Sequence, residues 1–141
     1  MSKLNVKIKK NRPDAIMPTY ATEGAAAFDL YACDGCGGDI FDTGVAFEIP
    51  SGYVMRVYSR SGHGFKYNVT LANSVGVIDS DYRGSVKIKL VQVGEPDPLP
   101  IKYGDRIAQA IIEPIPRVEF EWAYDLSDTD RGDGGFGSTG E

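Results

Sequence analysis

Apolar and polar residues alternate along most of this chain with a period of two. Leu4, Val6 and Ile8 are interleaved with polar residues, and Val45, Phe47 and Ile49 with Ala46 and Glu48. Val86, Ile88 and Leu90 are separated by Lys87 and Lys89, and Val118, Phe120 and Trp122 by Glu119 and Glu121. Successive side chains of a strand point to opposite faces, so each run predicts a strand with one dry face and one wet face. Turn chemistry punctuates the runs at Asp34-Gly35, Pro50-Ser51-Gly52, Asp79-Ser80-Asp81 and Glu95-Pro96-Asp97-Pro98. No long segment holds a 3.6-residue period, and at most one short helical turn is expected after Ser61. Short strands at near-regular spacing predict an all-β fold: an antiparallel sandwich, barrel or jelly roll. No internal repeat is visible.

Composition narrows the chemistry. A chain of 141 residues with 42% hydrophobic content is one domain; at this size folding buries about 68–70% of the unfolded surface, enough for a core without staples. The one histidine, His63, rules out a His-rich metal cluster, and any Ser-His-Asp or Cys-His catalysis would rest on it alone. A net charge of −5 argues against nucleic acid or an anionic membrane as partner, because both require clustered Lys and Arg. A small anionic ligand held by a few placed cations stays open. The N-terminal Met-Ser-Lys-Leu-Asn-Val-Lys-Ile-Lys-Lys has no unbroken apolar stretch, so neither a signal peptide nor a membrane span is expected, and the cytoplasm is the expected location. Cys33 and Cys36 form a CxxC with no second pair to complete four zinc ligands, which reads as two reduced loop cysteines.

Several segments carry chemistry-bearing residues. Ser59-Arg-Ser-Gly-His-Gly64 follows a predicted strand and reads either as a plain polar loop or as an anion site using Arg60 and Ser61. His63 reads as a loop residue. Asn73–Gly84 reads as a hairpin with Asp79-Ser80-Asp81-Tyr82 at its tip; the acids either cap their own turn or supply Asp79 as a general base, with Tyr82 walling a pocket. Asp29 is a lone carboxylate among Ala, Phe and Leu, which is costly without a partner: a hydrated Mg²⁺ or a hydrogen bond to backbone. Gln109 lies in the apolar run Ile107–Ile112 and needs a partner, while Arg106 and Asp105 are expected to pair with each other. The last eleven residues, Arg131–Glu141, hold five glycines and one large apolar side chain, Phe136. They read either as a disordered tail or as an arm whose backbone amides, Arg131, Ser138 and Thr139 meet phosphate while Phe136 stacks.

The order of these segments resembles the five motifs of the trimeric dUTPases: Ala27-Phe-Asp29-Leu-Tyr-Ala32, Ser59-Arg-Ser-Gly62, Asn73 with Gly76–Gly84, Gly104-Asp-Arg-Ile-Ala-Gln109, and Arg131–Gly140. The resemblance implies a dUTPase-like β-clip or distorted jelly roll of short antiparallel strands, assembled as a homotrimer with sites shared between three chains. It implies a catalytic body over 1–124 and a flexible arm over 125–141 that closes on a neighbour's site. It also implies dUTP as substrate, cleaved to dUMP and pyrophosphate with Mg²⁺, so lowering dUTP and supplying dUMP. By carry-over, Asp79 activates the attacking water, and Asp29 holds Mg²⁺ through water. Arg60, Ser61, Gly62 and Gln109 hold the triphosphate, with Arg131, Gly137, Ser138 and Thr139 closing on its outer phosphates. Asn73, Gly76, Val77 and Ile78 read uracil, Tyr82 packs under the sugar, and Phe136 stacks on the base. The chain departs from the family pattern at Ser59, His63, Gly64 and Ala26, where Pro, Leu, Ala and Gly are common. Alternatives on the same scaffold are a dCTP deaminase-related enzyme and a nucleotide-sensing regulatory protein. The roles of His63, Cys33, Cys36 and the 96–100 loop lie outside the motifs.

Overall fold

A computed structural model describes residues 3–34, 38–94, 99 and 101–140. Its strands are β1 (Lys7–Lys10), β2 (Thr19–Tyr20), β3 (Phe28–Tyr31), β4 (Ile40–Asp42), β5 (Val45–Glu48), β6 (Tyr53–Tyr58), β7 (Val69–Leu71), β8 (Gly76–Ile78), β9 (Lys87–Gln92) and β10 (Arg106–Pro114), with one helix, α1 (Ser61–Tyr67). They form a pair β1-β5, a five-stranded sheet β2-β3-β10-β6-β8 and a three-stranded sheet β4-β9-β7. Every pairing is antiparallel. The expected all-β, antiparallel architecture is what the chain adopts. No helix among the described residues is long and apolar enough to cross a membrane.

The period-2 pattern explains the core. In β9, Ile88 and Leu90 point inward while Lys87, Lys89 and Val91 point outward. One apolar cluster gathers Leu30, Met55, Val57, Leu90 and Ile107 from the two larger sheets with Val86 just before β9, and Phe28 stacks on Phe47 at 6.3 Å to bring in β5. Thr43, buried among them, satisfies its hydroxyl by donating to the Val86 carbonyl at 2.6 Å. Ser59 ties the end of β6 to β7: its Oγ accepts the Leu71 N–H at 2.9 Å and pairs with the Thr70 hydroxyl at 3.0 Å. Where the motif it resembles commonly has proline, this chain uses a hydroxyl as a strand-to-strand bridge.

Four expectations change. The segment after Ser61 is a seven-residue helix, two turns rather than one, closed by Asn68 in the left-handed region at φ 54°. Residues Asn73–Gly84 are not a simple hairpin, because β8 pairs with β6 and the chain beyond the turn joins β9 in another sheet. The N-terminal strand begins only at Lys7, with Val6 and Ile8 packed against the core. The run Val118-Phe120-Trp122 forms no strand: beyond β10 the described residues to 140 contain neither strand nor helix, and Phe120 and Trp122 stand 91% and 103% exposed. Alternation marks a segment fit for a sheet, yet a ladder needs an edge to pair with, and the chain does not fold this segment back onto one of its own.

Cys33 is a free, buried thiol, pushed up to about 11 chiefly by burial. Cys36, and the 96–100 loop apart from Leu99, lie outside the described residues. Beside Cys33, the Arg12 guanidinium lies 3.1 Å from Asp14 and holds that carboxyl down at about 2. Gly44 closes this corner at φ +68°, where an added Cβ would lie 2.7 Å from the Cys33 sulfur and 2.9 Å from the Ala15 Cβ. Gly44→Ala combines a left-handed backbone with overpacking and should destabilise the fold by about 2–4 kcal/mol, read from chemical denaturation. An unchanged midpoint would contradict this packing.

Candidate active site

The central strand builds the site. Gln109 on β10 lies opposite Asp29 on one side and Tyr58 on the other, and Thr19 of β2 lies opposite Asp29. Directly opposed residues share a face, so Thr19, Asp29, Gln109 and Tyr58 form a row across four strands. At the end of β6 the chain turns through Ser59 and Arg60 into α1. The result is an open cleft of about 760 Å³ lined by Ala25–Ala27, Asp29, Tyr58–Ser61, Arg106 and Gln109, among others.

Its polar groups are held by the backbone of its own lining residues. Gln109 donates from Nε2 to the Ser59 carbonyl at 3.0 Å, which settles the partner its position demanded. Arg60 donates from Nη1 to the Arg106 carbonyl at 3.0 Å. Asp29 is 8% exposed. Its charged partner is Arg106, with Nη1 at 3.6 Å from Oδ2. Asp105, the expected partner of Arg106, instead accepts the Lys102 N–H at 2.9 Å and closes a local turn. Two guanidinium groups against one carboxylate leave the cleft with a positive balance, suited to an anion.

The expected site residues fall into three separate groups. Asp29, Arg60, Ser61 and Gln109 come together in the cleft, with Gly62 following in α1. Asp79, with Ser80 and Asp81, lines a different groove of about 600 Å³ alongside Gly52–Val54 and Ile115–Arg117. Gly76, Val77 and Ile78 form β8, an edge of the five-stranded sheet, with Val77 62% exposed. Asn73 precedes this edge, its carbonyl accepting the Val75 N–H at 2.7 Å. Tyr82 folds back over Gly84 and donates its hydroxyl to the Ser85 carbonyl at 3.0 Å. Arg131, Phe136, Gly137, Ser138 and Thr139 lie in the exposed C-terminal segment, where Arg131 donates from Nε to the Gly134 carbonyl at 2.7 Å. Within one chain the cleft, the edge with its acidic turn, and the arm are not assembled into a single site.

Arg106 is the residue sequence reasoning missed. It stands inside one of the quoted motifs, but its place in the cleft depends on strand geometry. His63 sits behind Arg60, with Nδ1 buried and without a hydrogen bond among the described residues, and its ring centroid 6.4 Å from that of Tyr67. Burial and then the neighbouring Arg60 charge push its imidazole below the ordinary value of 6.5, outweighing the opposing pull of Asp105. As the chain's one histidine it gives a single pair of ring C–H signals by NMR, which should titrate with a midpoint below 6.5 and move upward in Arg60→Gln. A midpoint at or above the ordinary value would contradict the burial.

The likenesses to known proteins agree with this geometry. The chain is 43% identical over 143 residues to the deoxyuridine 5'-triphosphate nucleotidohydrolase of Nautilia profundicola, covering 98% of this chain and 100% of that one. It is 43% identical over 147 residues to the enzyme of the same name from Hydrogenobaculum sp., covering 97% and 99%. A solved structure of the Staphylococcus bacteriophage 80alpha dUTPase, a point mutant with dUpNHpp, superposes with a TM-score of 0.85 at 26% identity over 99% of this chain and 100% of that one. The phage phi11 dUTPase, a mutant in which coordination of a structural Mg(II) ion was resolved, superposes with a TM-score of 0.72 at 24% identity over 87% and 99%, a likeness of fold. The sequence profile of the dUTPase family matches residues 13–140, and with relatives this similar over nearly its whole length the chain belongs to the dUTPase family.

Proposed function

We infer that this chain hydrolyses dUTP to dUMP and pyrophosphate as a homotrimer in which each site draws on three chains. The observation that carries the reading is the separation of the site residues into three groups, each chemically incomplete. The cleft offers two arginines and an amide, with its one carboxylate, Asp29, paired to Arg106; Asp79 lies in a different groove from Arg60 and Gln109; the arm offers donors and a flat ring. The apolar stripe of the C-terminal segment supports the same assembly. Val118, Phe120, Trp122, Tyr124 and Leu126 are all more than half exposed and alternate with Glu119, Glu121 and Asp125, a strand-like edge awaiting another chain. The division into a body over 1–124 and a closing arm over 125–141 belongs to this proposal.

In the proposed site Arg60, Ser61, Gly62 and Gln109 hold the triphosphate of one ligand. Asp79 of a second chain accepts a proton from a water that forms a bond to the α-phosphorus as the bond from that phosphorus to the bridging oxygen breaks and pyrophosphate leaves. Among the described residues the edge strand β8 pairs on one side only, so Asn73 and Gly76–Ile78 can match the donors and acceptors of uracil, while Tyr82 packs under the sugar. Arg131, Gly137, Ser138 and Thr139 of a third chain close on the outer phosphates, and Phe136 stacks on the base.

Mg²⁺ fits the cleft through Asp29. That carboxylate is buried, meets its one charged partner loosely, and receives no hydrogen bond from the described residues, which leaves its lone pairs for metal-bound water. No cluster of three or more His, Cys, Asp or Glu exists among the described residues, in keeping with a metal held mostly by phosphate oxygens and water. Bound there, it would neutralise charge on the phosphates. A deoxynucleoside triphosphate as substrate is in keeping with the expected cytoplasmic location, and the proposed reaction requires no nucleic acid or membrane partner.

Purified protein with Mg²⁺ and each deoxynucleoside triphosphate should release pyrophosphate from dUTP; silence on dUTP would end this reading. Asp79→Asn should lower kcat by about 10²–10⁴-fold while dUpNHpp still binds within about threefold of the parent, because a base is lost and not a ligand contact. Removal of residues 131–141 should leave the trimer and its melting temperature intact and cut kcat/KM by about 100-fold, the cost of an uncompleted phosphate cage. Full activity in the shortened chain would show that the arm does not close on substrate.

A further inference from the structure

Strict alternation along β10 would put Arg106 and Gln109, three positions apart, on opposite faces of the sheet. Both nevertheless line the cleft. The register explains how: Ala108 lies opposite Leu30 but Arg106 lies opposite Tyr31, so two steps along β10 answer one step along β3. Ile107 and Ala108, consecutive residues, are both fully buried. The extra residue inverts the parity of the strand, sends Ile107 into the core where alternation would have placed it in the cleft, and swings Arg106 onto the face of Asp29. Bulges of this kind re-aim side chains beside functional sites.

The re-aimed side chain meets one group in particular. Its Nη1 is 3.6 Å from Asp29 Oδ2, and the Asp29 side chain is 11% exposed. Its own backbone is anchored, since its carbonyl accepts the Arg60 hydrogen bond at 3.0 Å. A separation beyond hydrogen-bond length attracts the carboxylate without occupying its lone pairs. That combination orients an acid while leaving it open to a hydrated cation.

We propose that Arg106 is a positioning residue for hydrolysis, brought into the cleft by the bulge in β10 to hold the Asp29 carboxylate toward the metal and triphosphate. This rests on the dUTPase reading above. Partners that orient a metal-facing ligand change affinity or rate by about 10–100-fold when removed. Arg106 acts through Asp29, so its effect vanishes once Asp29 cannot play its part.

The test uses the full chain with four variants: Arg106→Met, Arg106→Lys, Asp29→Asn and the double Arg106→Met/Asp29→Asn. Arg106→Met should lower kcat by about 10–100-fold and change KM for dUTP by less than about threefold, and Arg106→Lys should recover most of the loss. The double variant should be no slower than Asp29→Asn alone, the non-additivity expected of residues that act as one unit. Calorimetric titration with dUpNHpp should show metal-free affinity unchanged in Arg106→Met and the gain on adding Mg²⁺ reduced. Should Arg106→Met fail to fold, Arg106→Gln with and without Asp29→Asn carries the same cycle. A KM raised tenfold or more at constant kcat would make Arg106 a direct phosphate ligand and overturn the proposal, as would multiplicative losses in the cycle or parental activity in Arg106→Met. A parent chain inactive on dUTP defeats the dUTPase reading itself, whereas an active parent with an indifferent Arg106→Met defeats only this inference.

Discussion

The position of β10 between β3 and β6 is the constraint on which the rest of the molecule depends. Its ladders run on both sides, so the register that sets Gln109 against Asp29 also sets it against Tyr58, and the same strand sends Ala110 into the core at zero exposure. A slip of one residue would turn the apolar set outward and the polar row inward, and burial forbids it. The hydrophobic core therefore does more than stabilise: it fixes the face on which an otherwise expensive carboxylate can sit. The bulge at Arg106 departs from that regularity at the mouth of the cleft, where the strand needs a cation beside the acid.

Charge follows the same logic of place over total. The chain is acidic as a whole, at −5, yet two arginines face one aspartate in the cleft, and a third, Arg131, lies in the arm. Local geometry decides what a highly charged ligand meets, because fields inside a concave, low-dielectric wall are weakly screened. The distribution of these groups over separate parts of one chain also means that the chain presents its charges in separate places and not around one point.

How much of this could be read from residues depends on whether the determinants are local. Strand β9 was legible because its Lys-Ile-Lys-Leu alternation is also its exposure pattern. The ordered motifs around Asp29, Arg60, Asp79, Gln109 and Arg131 identified the family, and the profile match over 13–140 agrees. Arg106 was illegible because a bulge is a property of two strands, and nothing in Gly104–Gln109 announces a change of parity. The Val118–Trp122 run was misread as a strand of this chain, since alternation records the need for a pairing edge and not the identity of its owner. Nor does sequence alone show that Ser59 bridges β6 to β7, a role fixed by where Thr70 and Leu71 arrive in space.

The C-terminal segment bears on the thermodynamics of the proposed closure. Glycine-rich segments lose the most freedom when ordered, at about 1–2 kcal/mol per residue of backbone. This arm has already lost part of it: Gly132 donates to the Thr129 hydroxyl at 3.0 Å, Arg131 and Gly134 exchange backbone and side-chain bonds, and Ser138 and Gly140 close successive turns onto the Gly135 and Gly137 carbonyls. With Phe136 held at φ 52°, the segment is a chain of small preformed turns and not a random coil. In the proposed closure onto phosphate it would order fewer torsions than the composition suggests, leaving a larger share of each contact's free energy to discriminate a triphosphate from shorter nucleotides.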